Sequence, residues 1–416
     1  MNDGSNWNID LPYSLVNHLK IYSSNKWTFK SLQTSLVLAY QDNHREEWSS
    51  FHTHTVGQFP PAVDPDKELM LDLKTFSANL QFKLYNSAVL SQSLGFSASY
   101  QDNGIGGYGF LIPEYRRKEC GAYYLSNFKF GSLWELNASV RYDLGHIDTD
   151  SHGSDVVSVD KRFNDCSLAV GAVFSPVKEH EFRASAGRAY RLPSANELTS
   201  NGVHHGAFRH ELGDGSLVGE KGWQFDLSYS LRRKRVEASV SPFFSYYSHF
   251  ISLHPTGQWS MLPDAGQIYK YVDSPANFYG GELHVKLNLV RDFYYDFSGE
   301  YIHSMDLDSH TATPFSPPAS MRNTLSWERK QWQAYVEFHS VAAQRHVCHN
   351  EDETPGYNLF NIGGKIDFPI KTGNLSLLVK ASNIFNTSYL NHLNFYRKIE
   401  LPEACFDFQT TIRLTF

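Results

Sequence analysis

Phe406-Asp407-Phe408-Gln409-Thr410-Thr411-Ile412-Arg413-Leu414-Thr415-Phe416 closes the chain. Side chains alternate faces along a strand. Phe406, Phe408, Thr410, Ile412, Leu414 and Phe416 therefore share one oily face, and Asp407, Gln409, Thr411, Arg413 and Thr415 share a polar one. The same alternation recurs upstream. Trp134, Leu136, Ala138, Val140, Tyr142 and Leu144 interleave with Glu135, Asn137, Ser139, Arg141 and Asp143, and Trp223, Phe225, Leu227, Tyr229 and Leu231 interleave with Gln224, Asp226, Ser228, Ser230 and Arg232.

A soluble sandwich also buries one face of each strand, but its strands usually run about 5 to 6 residues. Here the alternation holds for about 9 to 12 residues, the length that crosses a bilayer at a tilt of roughly 45°. Aromatic residues make up 15% of the chain. Pairs such as Tyr123-Tyr124, Tyr246-Tyr247 and Tyr294-Tyr295 stand near strand ends, where interfacial girdles are expected. Mean hydropathy is negative and no run of 18 apolar residues occurs, as a barrel with a polar lumen and wet loops requires. A closed barrel is the strand arrangement that pairs every backbone group in lipid.

Strands are expected near 11–22, 27–40, 69–85, 92–101, 120–130, 132–145, 161–174, 180–190, 221–232, 234–251, 278–290, 292–304, 320–329, 331–342, 356–368, 373–385 and 404–416. Short turns, such as Phe130-Gly131-Ser132, Arg291-Asp292 and Arg329-Lys330, alternate with long loops at 41–68, 102–118, 146–160, 191–219, 252–277, 305–319, 343–355 and 386–403. The expected fold is all-β: a transmembrane antiparallel up-and-down β-barrel spanning 1–416 as one domain. Even strand counts are the rule for bacterial single-chain barrels, so the odd number points to strands missing at the N-terminal side. The opening MNDGSNWNID has no charged n-region or apolar h-region, and the chain is expected to be the C-terminal part of a longer, exported protein.

The formal charge of −7 is spread out, with no basic stripe, which argues against nucleic acid as a partner. Cys120, Cys166, Cys348 and Cys405 lack zinc-ribbon spacing and could pair or stay free. No nucleophile elbow or His-Glu-x-x-His occurs, so an enzyme, with an outer-membrane hydrolase as its least improbable form, ranks last.

From Gly187 onward the sequence resembles the barrel of TonB-dependent outer-membrane receptors. Gly187-Arg188-Ala189-Tyr190-Arg191-Leu192-Pro193-Ser194-Ala195-Asn196-Glu197-Leu198 is similar to the family's aromatic-Arg-x-Pro block followed by Glu-Leu. Leu212-Gly213-Asp214-Gly215-Ser216-Leu217 with Glu220 is similar to Gly-Asn-Pro-x-Leu-x-x-Glu, with Asp-Gly in place of Asn-Pro. Asn383-Ile384-Phe385-Asn386-Thr387-Ser388-Tyr389 is similar to Asn-Leu-Phe-Asn-x-x-Tyr, and Phe416 fits the terminal signal for barrel assembly. The resemblance implies about 17 of roughly 22 strands, with the N-terminal strands and the plug missing. It also implies the bacterial outer membrane as location, with outer-membrane lipid, a plug, TonB and the barrel-assembly machinery as partners, and energised import of a scarce nutrient.

The 19 histidines concentrate in the expected long loops. His204, His205 and His210, with Glu211 and Asp214, lie between the first two family blocks, the interval in which haem-importing relatives carry a ligand His; imidazole also binds zinc and copper. No resident cofactor is expected, only a transported haem or divalent metal. His346, Cys348, His349 and Glu351 form a second candidate set, while His52 with His54, and His146 with Asp148, Asp150 and His152, are weaker ones. The competing reading for each of these is a solvated loop in which the side chains are simply polar. Haem or a transition metal leads as the expected ligand, ahead of siderophore, cobalamin or glycan, with a passive porin-like or adhesin-like barrel as the alternative outside the family.

Overall fold

The structure, a computed structural model, describes residues 10–30, 32–53, 57–153, 156–263, 265–371 and 373–416. Its strands are β1 (Tyr13–Phe29), β2 (Leu32–Trp48), β3 (Lys67–Asn86), β4 (Leu90–Gly106), β5 (Tyr115–Phe130), β6 (Trp134–Thr149), β7 (Val159–Val177), β8 (His180–Arg191), β9 (Asn201–His204), β10 (Arg209–Leu212), β11 (Glu220–Arg233), β12 (Val236–Trp259), β13 (Gln267–Val290), β14 (Phe293–Asp306), β15 (Ser320–Arg329), β16 (Trp332–Val341), β17 (Tyr357–Ile370), β18 (Gly373–Ser382) and β19 (Asp407–Thr415). Short β9 and β10 form a hairpin inside the loop after β8, and β10 also runs parallel to the start of β13. The other 17 of the 19 strands form the wall, each antiparallel to its sequence neighbour, with β8 pairing directly to β11. No ladder joins β1 to β19 among the described residues, so each has one unpaired edge, and both run from the long-loop end towards the short-turn end.

The wall is inside out relative to a soluble protein. Along β6 the apolar Trp134, Leu136, Val140, Tyr142 and Leu144 are exposed, while Glu135, Arg141 and Asp143 between them are half-buried. Leu227 is 58% exposed and Ile412 72% exposed, the orientation expected where the outer face meets lipid. On the concave face, charges pair along one strand at i, i+2, where side chains share a side. Arg141 Nε donates to Asp143 Oδ2 at 2.7 Å, and Lys365 Nζ lies 2.7 Å from Asp367. Glu135, Asp226, Arg232, Glu300 and Glu337 lie on that same face.

Tyrosines divide between the two faces. Adjacent residues of a strand point opposite ways, so only Tyr124, Tyr246 and Tyr295 of the three expected girdle pairs face outward. Tyr123 and Tyr247 instead lie over their inward-facing cross-strand partners Gly95 and Gly222, whose added Cβ atoms would come within 2.0 and 2.5 Å of the rings. These glycines leave room for flat aromatic rings on the inner wall.

Eight turns of two or three residues and eight longer loops occupy opposite ends. The turns after β13 and β15 place Asp292 at φ 67 and Lys330 at φ 47, the left-handed geometry that matches strand twist. The expected break at residues 23–26 is not a turn: β1 runs on to Phe29, because Trp27, Thr28 and Phe29 keep the alternation and the chain reverses at Lys30, φ 50. The expected 252–277 loop shrinks likewise, since β12 and β13 pair out to Trp259 and Gln267. All four cysteines are free. Near the long-loop end the burial logic reverts to that of a soluble protein: Ile147, Ala195, Leu198, Leu217 and Ile251 form a small core between the wall and the loop after β8.

Arginine on the outward face at Leu227 would sit in hydrocarbon, whereas Ser228 faces the lumen. Leu227→Arg is expected to cost about 2–4 kcal/mol in lipid vesicles and Ser228→Arg about 0.5 kcal/mol or less. Denaturant unfolding of the vesicle-inserted protein measures the difference.

Candidate functional site

The loop after β8 folds back into the mouth, and the first two family blocks hold it there. Arg191, the last residue of β8, donates from Nη1 to Glu197 at 2.9 and 3.0 Å and from Nη2 to Glu220 Oε2 at 3.0 Å. Glu197 lies in the short helix α1 (Ala195–Thr199) and also accepts the Ser194 amide at 2.8 Å, closing the helix start behind buried Pro193. Glu220 opens β11, and its carboxylate also accepts the Ile251 amide. One guanidinium thus ties the end of one wall strand, the loop helix and the start of the next wall strand.

Gly213 packs against the end of α1, where a Cβ would stand 2.4 Å from the Thr199 amide. Its own amide donates to Ser200 O, and the Asp214 amide donates to Glu197 O. Leu198 and Leu217 fill the core beneath, and Tyr190 lies over Gly219. The C-terminal block is a second latch. Asn383, at φ 49 and buried, exchanges two hydrogen bonds with the Thr387 backbone, while Asn386 accepts the Phe406 amide and aligns the chain before β19. Tyr389 packs on Tyr357 at 4.2 Å and exposed Phe385 packs edge-on to Phe360. Phe416 is 89% exposed past the end of β19. The motif residues are thus folding devices of wall and loop.

The candidate ligand residues are dispersed by this architecture. His204 is exposed and pairs across the hairpin with Arg209, while His210 pairs with Val203, so the two imidazoles occupy opposite faces. Both His210 ring nitrogens are engaged, with Asn201 Oδ1 at 2.9 Å and Ser260 Oγ at 3.0 Å. Burial pushes the His210 pKa down. The side chain of His205 lies outside what the structure describes. Glu211 is buried against Arg209 and accepts from Tyr271, and Asp214 pairs with Lys270 at 3.0 Å.

In the second set, Glu351 is held by Arg397 at 2.5 Å and accepts the amides of Phe315 and Cys348. Burial alone would raise its pKa, but the adjoining Arg397 charge, with His392 3.4 Å away, holds it down at about 2. The buried Cys348 thiol is pushed up by burial, His346 Nε2 donates to Ser304 O while its ring stacks on His303 at 4.4 Å, and His349 is exposed. His52 lies 3.7 Å from Glu68, His54 is outside the described residues, His146 pairs with Asp160, and His152 stacks on Phe110. Among the described residues no three His, Cys, Asp or Glu side chains gather as a metal site.

One exposed imidazole does face a cavity. His204, Val203 and Gly206 close one side of a volume of about 300 Å³ whose other walls are Ser14 of β1, Arg45 and Glu47 of β2, Glu68, Leu69 and Leu71 of β3, and Gly109, Phe110 and Leu111 after β4. Arg45 and Glu47 form an ion pair on the concave face. Gly202 keeps the hairpin close to this wall, since its Cβ would lie 1.9 Å from Phe110 O. Sequence reasoning missed the β2 and β3 side of the cavity, for which the Arg45-x-Glu47 spacing on an inward face was the available signal.

A family model described as "TonB dependent receptor-like, beta-barrel" matches residues 1–384. Among solved structures, the copper transporter OprC superposes with a TM-score of 0.80 at 17% identity, covering 97% of this chain and 66% of that one. The FrpB iron transporter from Neisseria meningitidis gives 0.71 at 13% identity, covering 96% and 63%. The Serratia marcescens hemophore receptor HasR, in complex with its hemophore HasA and heme, gives 0.68 at 15% identity, covering 91% and 64%. The chain spans less than two thirds of the length of each of these structures.

Two outcomes follow from the latch and the buried histidine. Arg191→Ala, by removing charge-assisted bonds to two carboxylates, is expected to cost about 1.5–3 kcal/mol and to speed amide exchange across residues 194–219, read by mass spectrometry. His210 is kept neutral by burial, so an opened hairpin binds its proton first. The hairpin therefore loses stability as pH falls below about 6.5 and stops losing it once the folded imidazole protonates too; exchange rates of residues 201–212 between pH 7.5 and 5 record the trend.

Proposed function

The chain belongs to the TonB-dependent receptor-like β-barrel family, and from that premise we propose that it forms the wall of an outer-membrane importer that captures a metal-bearing nutrient, haem or a transition metal in chelated or free form, at the long-loop end. The observation that carries the reading is His204. It is an exposed imidazole with no described hydrogen-bond partner, set on a cavity in the mouth and located in sequence between the two family blocks. A haem iron takes a single axial imidazole, so one such histidine is sufficient for capture where a bare ion needs several ligands.

In this reading the protein is a transport receptor and not an enzyme. The outer face meets outer-membrane lipid after the assembly machinery has inserted it. The charged concave face receives a plug, and TonB supplies the energy. The unpaired edges of β1 and β19 support further wall strands from the same protein. Because both edges run the same way, an antiparallel closure takes an odd number of added strands. Five would bring the 17 wall strands to the roughly 22 of the family.

Substituting His204→Ala in the full-length receptor is expected to weaken haem binding at least tenfold, about 1.4 kcal/mol, in an absorbance titration. Unchanged affinity would remove the imidazole from capture and bring a siderophore, cobalamin or glycan forward. For the wall, the 416-residue chain alone is expected to insert poorly into vesicles, since an open edge in lipid leaves backbone groups unpaired. Efficient heat-modifiable folding of the chain alone would contradict the completion by further strands.

A further inference from the structure

Resting on that reading of His204, we infer that the mouth cavity takes a metal chelate carrying carboxylates, not a bare cation, and that Arg45 recognises the carboxylate by exchanging it for Glu47. Three features of the cavity wall carry the inference. His204 offers one neutral nitrogen donor, enough for a metal whose remaining positions are filled by its own chelator. Arg45, about half exposed, offers a guanidinium, the side chain best matched to a carboxylate. Leu69, Leu71, Phe110, Leu111 and Val203 supply apolar sides for an organic body. A bare divalent cation fits poorly, for it seeks several anionic or imidazole ligands. Here it would meet one imidazole, Glu47 already neutralised by a guanidinium, and Glu68 already held by Ser49 and His52, and among the described residues no three such side chains gather as a metal site.

Glu47 is the internal stand-in for the ligand. Its carboxylate pairs with Arg45 two residues away on the same strand face, so an incoming carboxylate need only displace a half-buried partner of the same chemistry from a half-exposed guanidinium. The exchange leaves Glu47 facing solvent in the mouth, and no buried charge is stranded. Capture is therefore weakened by Glu47 and strengthened by its removal.

Four proteins tested against three probes decide the question. The full-length receptor and its Arg45→Gln, Glu47→Gln and His204→Ala variants are titrated with iron protoporphyrin, with its dimethyl ester and with Zn²⁺ alone. Arg45→Gln is expected to weaken the diacid about tenfold and leave the ester unchanged, and His204→Ala to weaken both. Glu47→Gln is expected to tighten the diacid a few-fold, a gain that misfolding cannot produce, and Zn²⁺ to show no His204-dependent binding. Equal diacid affinity in Arg45→Gln, with His204→Ala still impaired, overturns the carboxylate recognition and leaves the proposed function standing. Loss of neither in His204→Ala overturns both, and tight Zn²⁺ binding that depends on His204 overturns the exclusion of bare cations.

Discussion

A strand that crosses hydrocarbon has no water to accept its amide hydrogen bonds, so each wall strand depends on the two beside it. That constraint fixes the ladder from β1 to β8 and from β11 to β19, and the two-residue side-chain period then assigns every position to lipid or lumen. The polar inner face follows from the same rule. Charges there need partners within reach, and pairs such as Arg141 with Asp143 and Lys365 with Asp367 find them two residues along the same strand. Such a wall is rigid and repetitive, and by itself recognises nothing.

Recognition needs irregular chain in the mouth, and irregular chain needs anchoring. Arg191 supplies the anchor by joining β8, the loop helix and β11, while Gly213 lets the loop return against the end of that helix. A small apolar core of Leu198, Leu217, Ile147 and Ile251 then forms above the lipid-facing band. The family blocks flank the loop and hold it, and the segment between them, carrying His204, is left facing the cavity. A latch separate from the residues it presents lets those residues change without disturbing the wall.

The wall was legible in the sequence because a period of two survives any amount of polar substitution on one face. All 17 wall strands were anticipated, with ends misplaced where polar residues such as Ser23-Ser24-Asn25-Lys26 looked like a turn but lay within an edge strand. The tyrosine pairs were misassigned in part because composition counts aromatics without assigning faces; alternation turns Tyr123 and Tyr247 inward, where Gly95 and Gly222 on the neighbouring strand leave room for their rings. The mouth was less legible. His210 looks like a ligand in sequence, yet Asn201 and Ser260 occupy both its nitrogens, and Glu351 looks like an acidic loop residue until Arg397 is brought to it from the loop before β19. Contacts between distant loops leave no local pattern.

The same long-range contacts make the mouth uneven. On the side of β13 to β19, Glu351 and Arg397 are buried together, Arg209 stacks on Phe395 at 4.0 Å and Phe315 packs on Phe395 at 4.3 Å, so four loops are bound as one body. The Glu351 carboxylate, its pKa held down at about 2, contributes stability that is complete above the ordinary carboxylate range and is lost only as pH falls towards that value. Acid of the strength a cell surface meets leaves this side closed. His204 and Arg45 lie against the opposite wall, β2 and β3, beside an ion pair open to water. Opening a charged pair that water already reaches costs less than parting one that is buried, so the mouth opens at least cost at the β2 and β3 side, where the exposed imidazole and guanidinium stand.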